Sequence, residues 1–460
     1  MTETKKIKET LINFSLEKIN LREINKAVAF EKLEKNGDIF RAFLRQVNEP
    51  KYLYWDDIRY RQAPGDLTIK EAWFLVKQFR RLMSVQTPIK TENGEYFKWI
   101  KLPKVDEFLH RIDISSGGQV FVSVETLSGV NKQKFLSRGI LEEAIASSQL
   151  EGAHATRSAA KLMIANKREP QNRDEQMILN NYRTILKIDE DFKNRELSED
   201  LIFELHRMLT DKTIDGEDVG KYRKNEDDVV VEGQIGNERY ITYNPPSEKF
   251  VSEQMFKLIK YANNDNEGEF IHPIIKAIFL HFWIGYLHPF VDGNGRLARA
   301  LFYWYLLRKD YWTFMYLPIS LVIKKAPSQY GMAYIYSEQD DHDLTYFFDF
   351  HVRKIVQSLE DFNNYIVRKI NENKQIDDLM DRNIKLSDRQ KYLLHHLTSD
   401  ISAHTTITSH STISNISRQT AAKDIEKLNE LGLIIGTRDG KYIIYKASKK
   451  LLGMMENKGH

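Results

Sequence analysis

One run of twelve residues concentrates the chain's chemistry: His288-Pro289-Phe290-Val291-Asp292-Gly293-Asn294-Gly295-Arg296-Leu297-Ala298-Arg299. Gly293 and Gly295 permit a sharp turn and a close backbone approach, which leaves main-chain N–H groups at a helix start free to meet an anion such as phosphate. Arg296 and Arg299 lie three apart on the helix that follows, and each guanidinium can fork a different phosphoryl group. Asp292 supplies a hard oxygen for Mg²⁺ bridging those phosphates. His288, with an unperturbed pKa near ~6.5, is the candidate general base. Nucleotide, metal and base would therefore meet within twelve residues.

Two other phosphate-binding readings fail. Gly293 to Ala298 formally fits a dinucleotide fingerprint, but that fingerprint needs a preceding strand, and Ile274 to Leu287 reads as helix. Gly216 to Tyr222 is spaced one residue short of a phosphate loop and carries Tyr where Ser or Thr is required.

The elements that must position the motif are mostly helical. The apolar stretch Ile274 to Leu287 ends at His288, and a second helix runs from Leu297 to Leu307. Upstream, residues 139–150 show helical spacing through Ile140, Ala144, Ser147 and Leu150, and more helices extend to about residue 210. Val229 to Tyr243 interrupts this pattern with two β-rich runs around Gly233 and Gly236, a hairpin signature. Ser247 then opens a further helix. Near the N-terminus, Ile12, Leu16 and Ile19 stand at helical spacing, and Thr68 with Glu71 reads as a capping box. Val120 to Val124 reads as a short extended piece, and Asn371 to Lys385 as an exposed helix or a linker. The fold class expected is mainly α with a β-hairpin, plus a small α+β domain. The domains expected are a helical N-terminal domain over 1–115, a catalytic domain over 116–370 and a C-terminal domain over 386–450.

Composition bounds the function. At 460 residues the chain is long enough for several cores. With no cysteine, it has no disulfide scaffold, thiolate nucleophile or Cys-based zinc site. Lys plus Arg number 68 against 65 for Asp plus Glu, a net charge of +3 that argues for no general polyanion affinity. The charged start Met1 to Lys6 lacks the apolar core of a signal peptide, and the longest apolar stretch is shorter than the ~18 residues of a membrane span. A cytoplasmic protein without membrane association is expected. His281 and the pair His395-His396 show no metal-ligand spacing and read as structural or exposed.

His288 to Arg299 resembles, position by position, the motif of Fic-domain proteins: His, Pro, Phe, any residue, Asp or Glu, Gly-Asn-Gly-Arg, two variable residues, Arg. The resemblance implies a helical Fic fold and transfer of AMP from ATP to a Ser, Thr or Tyr hydroxyl of a target protein or of the protein itself, with release of pyrophosphate. It implies that His288 deprotonates the hydroxyl, Asp292 holds Mg²⁺, Gly293, Asn294 and Gly295 cradle phosphates, and Arg296 and Arg299 bind the phosphate chain. Gly220 to Arg223 looks like the family's segment before its flap, and the hairpin near 229–243 falls at the flap. Val230, Val231 and Tyr240 would then dock an extended target by strand addition, although an ordinary surface hairpin has the same pattern. Ser320 and Tyr330 resemble the helix start and adenine-side aromatic of family members, with Tyr330 as plain core the equal alternative. Ser147-Ser148-Gln149-Leu150-Glu151-Gly152, within a helix near 139–153, resembles the family's inhibitory motif. That resemblance implies that Glu151 pairs with Arg299 in cis and occupies the space of the γ-phosphate.

Ile416 to Ile425 resembles the recognition helix of a winged helix-turn-helix, with Arg418, Gln419 and Lys423 outward and Arg438 and Lys441 on the wing. Acidic Asp424, Glu426, Glu430 and Asp439 and a Ser/Thr-rich segment before it stand against DNA, so duplex DNA and a protein-docking or dimer-forming role stay open. The alternatives to an autoinhibited adenylyltransferase are a nucleotide-sensing transcription regulator, and transfer or removal of another nucleotidyl group by the same site.

Overall fold

The structure, a computed structural model, describes residues 11–115, 129–165, 167–264, 270–383, 386–398, 403–414, 416–439 and 442–456. The stretch 120–124 and Lys441 lie outside these. The chain divides into two compact units, Met1–Glu360 and Asp361–His460.

The first unit is mainly helical. Its centre is α10 (Pro273–Leu287) and α11 (Asn294–Arg308), which pack on each other. Every residue of α10 except Pro273 and Gly285 is buried, as befits a helix apolar on all sides. Each fully buried Ile, Leu or Phe there contributes about 1.5–3 kcal/mol. Around this pair stand α5 (Gly129–Leu150), α6 (Arg157–Ala165), α7 (Arg173–Glu190), α8 (Glu199–Thr210), α9 (Glu248–Asn263), α12 (Ile319–Lys324), α13 (Pro327–Gln339) and the start of α14 (Thr345–Asn383). Between α8 and α9 lies an antiparallel hairpin, β3 (Val231–Ile235) and β4 (Glu238–Tyr243). Its turn is tighter than the sequence indicates: Ile235 pairs with Glu238, so only Gly236, at φ +62°, and Asn237 connect the strands.

The N-terminal part carries α1 (Lys26–Lys35), α2 (Gly37–Asn48), α3 (Ile69–Met83) and α4 (Pro103–Ile114). The capping box forms as read, with Thr68 Oγ1 accepting from Glu71 N at 3.2 Å and Glu71 Oε2 from Thr68 N at 2.7 Å. A hairpin that sequence reading missed, β1 (Val85–Lys90) and β2 (Tyr96–Trp99), follows α3. Its signal was present as β-formers on either side of Asn93-Gly94. Phe97 on β2 is fully buried, 5.1 Å from Phe282 and 5.0 Å from Tyr286 ring to ring, and so backs α10.

One helical expectation is overturned. Residues 11–18, where Ile12 and Leu16 suggested a helix, are extended. Their main chain bonds to β4 instead of to itself, with Phe14 N donating to Ile241 O at 2.8 Å and Ile241 N to Ile12 O at 3.0 Å. Tertiary partners replace the i−4 bonds a helix would have made.

The second unit contains α15 (Asp388–Thr398), α16 (Ile407–Ile413), α17 (Arg418–Glu430), the hairpin β5 (Ile434–Asp439) and β6 (Tyr442–Ala447), and α18 (Lys449–Glu456). Leu393, Leu394, Leu397, Ile425, Leu428 and Leu433 belong to its core. The Ser/Thr-rich segment that seemed unfavourable is helix α16, with Thr406 Oγ1 capping Ser409 N at 3.0 Å and Ser411 Oγ closing on Ile416 O at 2.6 Å. Asp424, read as diluting surface charge, is buried and accepts from Gln390 Nε2 at 2.9 Å. Among the described residues, no helix is long and apolar enough to cross a membrane.

Candidate active site

The end of α10 creates the site. His288 caps it in the left-handed region at φ +46°, uncommon for a residue other than glycine. Arg223, the last residue of the segment before the hairpin, holds that bend. Its Nε donates to His288 O at 2.7 Å and its Nη2 to Pro246 O at 2.6 Å, while its own N–H donates to Pro289 O at 2.9 Å. The His288 ring is oriented by Nδ1, 3.3 Å from Gly285 O. A carbonyl only accepts, so Nδ1 carries the proton and Nε2 presents a lone pair. Burial pushes the imidazole down to about 4, which keeps it uncharged at neutral pH.

The glycine loop is braced from within. Asn294 Nδ2 donates to Phe290 O at 2.8 Å, and its Oδ1 accepts from Phe290 N at 2.9 Å. His206 on α8, which sequence reading missed, stacks on Phe290 at 3.8 Å. Because His206 Nδ1 accepts from Gly220 N at 3.0 Å, its Nε2 is the donor to Asp292 O at 2.9 Å. Gly293 sits at φ +88°, and a Cβ there would lie 2.8 Å from Thr210 Cγ2, so both backbone angle and space demand glycine.

The two motif arginines diverge. Arg299 Nε donates to Ser147 Oγ at 2.8 Å, and its Nη2 to Glu151 Oε1 at 2.9 Å and Ser147 O at 3.1 Å. Glu151 lies just past the end of α5 and over the first turn of α11: a Cβ on Gly295 would be 2.3 Å from Glu151 Oε1. Arg296 points the other way. Its Nη1 donates to Leu209 O at 2.9 Å and its Nη2 to Asp292 Oδ1 at 3.2 Å, with the side chain wholly buried. Arg299 faces the cavity, while the Arg296 side chain is bonded to Leu209 O and Asp292 and the Asn294 side chain to Phe290.

Asp292 is the only motif carboxylate. It receives Arg296 and, at 3.4 Å, Arg173, yet its side chain is 39% exposed. No cluster of three or more His, Cys, Asp or Glu suited to a metal occurs among the described residues. A single part-exposed carboxylate fits Mg²⁺ brought in with phosphates, which uses one or two carboxylates and keeps several waters.

One cavity of about 720 Å³ is lined by Glu151, Gly295, Arg299 and His288 together with Tyr330 on α13 and the β3 residues; Asp292 is not among its lining residues. Of the flap residues singled out from sequence, Val231 lines it, Val230 precedes the strand, and Tyr240 packs edge-on against Phe14 at 5.5 Å. The Tyr330 hydroxyl is 2.9 Å from His281 Nε2, so Tyr330 both faces the cavity and anchors in the core. Ser320 lies apart from it, its N–H donating at 2.8 Å to Glu143 Oε2 on α5. Two carboxyls escaped sequence reading. Burial pushes Glu143 up, while it also accepts from Tyr303 Oη at 2.8 Å. Glu338 lines the cavity and is pushed well up by burial. Neither carried a motif: Glu143 adjoins Glu142 on α5, and Glu338 is the one acid of α13.

Fold and site together define a mainly helical domain whose glycine loop at a helix start lies beside the Glu151 carboxylate. Residues 196–306 match the model of the Fic/DOC family. It is 31% identical over 129 residues to the protein adenylyltransferase Fic of Drosophila mojavensis and 30% to that of Drosophila melanogaster. Each match covers 28% of this chain and 22% of the relative's own length. Among solved structures, a Fic family protein from Desulfovibrio desulfuricans G20 aligns over 76% of this chain and 97% of that one, at 18% identity and a TM-score of 0.49. Fic-1 from C. elegans aligns over 74% and 83%, at 17% identity and a TM-score of 0.45.

Proposed function

We propose that this chain is a protein adenylyltransferase, moving AMP from ATP to a Ser, Thr or Tyr hydroxyl of a protein with release of pyrophosphate, and that Glu151 restrains it in cis. The observation that carries this reading is the meeting of His288, Arg299 and Glu151 in one cavity. His288 Nε2 takes the proton of the acceptor hydroxyl, whose oxygen forms a bond to the α-phosphorus as the bond to pyrophosphate breaks. Arg299, once free of Glu151, binds the triphosphate by charge-assisted hydrogen bonds. Asp292 would hold Mg²⁺, which neutralises phosphate charge. Backbone N–H groups at the start of α11 add positive potential. In the present arrangement the Glu151 carboxylate stands at that helix start and occupies Arg299, so ATP binds with its phosphates misplaced.

The test uses ATP labelled at the α or γ phosphorus, with the parent, Glu151→Gly and Glu151→Gly/His288→Ala proteins. Label retained on protein from the α position only, strongest in Glu151→Gly and absent from the double variant, is the expected result. Label from γ would mean kinase chemistry. No label from either, with ATP bound, would favour the nucleotide-sensing reading.

For the second unit we propose a winged helix-turn-helix that meets duplex DNA. In its support, Asp424 is withdrawn into the core while Arg418, Gln419 and Lys423 are exposed along α17 and Arg438 on β5. A mobility shift with duplex DNA that weakens steeply between 50 and 200 mM salt is expected; binding insensitive to salt, or none, would leave protein docking.

A further inference from the structure

We propose that residues 12–14 serve as a built-in third strand of the flap, pinning it over the cavity and leaving β3 as the edge on which an extended acceptor segment docks. This rests on the transferase reading above.

The geometry is a short parallel pairing. Asn13 bridges Ile241, with Phe14 N donating to Ile241 O at 2.8 Å and Ile241 N to Ile12 O at 3.0 Å. Both main-chain groups of Ile241 are thus satisfied on the side away from β3. Side chains reinforce the pairing: Asn244 Nδ2 donates to Asn13 Oδ1 at 2.9 Å, and the Phe14 ring meets Tyr240 edge-on. The same segment is clasped by the last residue of α13. Gln339 Nε2 donates to Phe14 O at 3.1 Å, and Gln339 Oε1 accepts from Leu16 N at 2.8 Å. Leu16 is buried, and Tyr54 Oη donates to Glu17 O at 3.0 Å just beyond it. The strap therefore ties β4 to α13, the helix that brings Tyr330 and Glu338 to the cavity.

The consequence concerns which edge is open. An unpaired strand edge is a template for another chain, and covering it removes that option. The strap covers β4 at Ile241. Among the described residues, no main-chain hydrogen bond reaches β3 from any strand but β4. Residues Val231 to Ile235 all line the cavity that holds His288. An extended acceptor pairing with β3 would run past the imidazole, and its side chains would contribute less to affinity than its main chain. A flap freed from the strap would lose its fixed distance from α13, so acceptor docking would suffer while the phosphate loop stayed intact.

The experiment compares Glu151→Gly with Glu151→Gly/Phe14→Pro, the second change removing the N–H that meets Ile241 O. Three quantities are read: amide hydrogen exchange over residues 231–243, affinity for a fluorescent ATP analogue, and the initial rate of self-labelling from α-labelled ATP with Mg²⁺. Faster exchange at Ile241, affinity within twofold and self-labelling down at least tenfold are expected. A synthetic peptide of residues 11–18 added in trans should restore slow exchange and labelling. Glu151→Gly/Gln339→Ala, which leaves the strap's own residues in place, should show the same direction with smaller size. Unchanged exchange at Ile241 would overturn the pairing; faster exchange with labelling within twofold would overturn its docking role. If Glu151→Gly with an intact strap does not label itself from the α position while binding ATP, the transferase reading fails, and the third strand is then decided by exchange and its reversal by the peptide.

Discussion

The loop from His288 to Arg299 is held by side chains that reach buried main chain, whereas the hairpin opposite is held chiefly by main chain pairing with main chain. Arg223, Asn294 and His206 each grip a carbonyl or N–H of the loop, and their partners lie in the core. The hairpin's side chains are largely half-buried or exposed, and its ladder is completed by Ile12 and Phe14. Side-chain clamps specify one geometry, which proton transfer and in-line displacement require. Main-chain pairing tolerates many side chains, which suits a surface that must accept a protein segment.

The largest effect should come from breaking the rigid side of this contrast at its reactive atom. His288→Ala is expected to lower α-label transfer about 1,000-fold, within the ~10²–10⁴ range for a positioned base, in either Glu151 background. Circular dichroism should show the fold unchanged. Glu151→Gly should raise transfer by about 10- to 100-fold, the worth of one charge-assisted bond of ~1.5–3 kcal/mol released from Arg299. Equal rates would show that the Glu151–Arg299 contact restrains nothing.

Arg223→Ala tests the clamp itself. It strips the donor from His288 O and Pro246 O in a buried site, and urea denaturation should record a loss of about 3 kcal/mol. Arg223→Lys should recover little, because one ammonium cannot reproduce the planar fork.

A pH profile sharpens the comparison without mutating the loop. Burial holds His288 at about 4, below the ~6.5 of a solvated imidazole, so it stays an unprotonated acceptor from neutral pH downward. The kcat/KM of Glu151→Gly should therefore keep its value from pH 8 to about 5 and fall through about 4. The depression also means that the stability linked to this group is complete above ~6.5 and declines as pH falls toward 4. An acid limb centred near 6.5 would show an imidazole open to water. On the adaptable side, Tyr240→Ala loses one edge-on aromatic contact with Phe14 and should cost about 1 kcal/mol or less, with ATP affinity unaltered.

How much was legible in advance follows the same division. The motif's glycine spacing announced the tight turn at the start of α11, because such a turn is local geometry. The apolar run before it read as a buried helix for the same reason. Arg296 did not: adjacency on a helix puts it beside Arg299, but the C-terminal end of α8, distant in sequence, drew its guanidinium away through Leu209 O. Nor did residues 12–16, whose helical spacing was outweighed by Ile241 and Gln339.

The amino-acid sequence by itself determined most of the helices, the glycine turn and the capping box, since these depend on interactions within a few residues. Only the tertiary structure decided which arginine faces the cavity, where Glu151 rests and what completes the hairpin. Each of these depends on a partner tens to hundreds of residues away, and only folding brings such partners within hydrogen-bond reach.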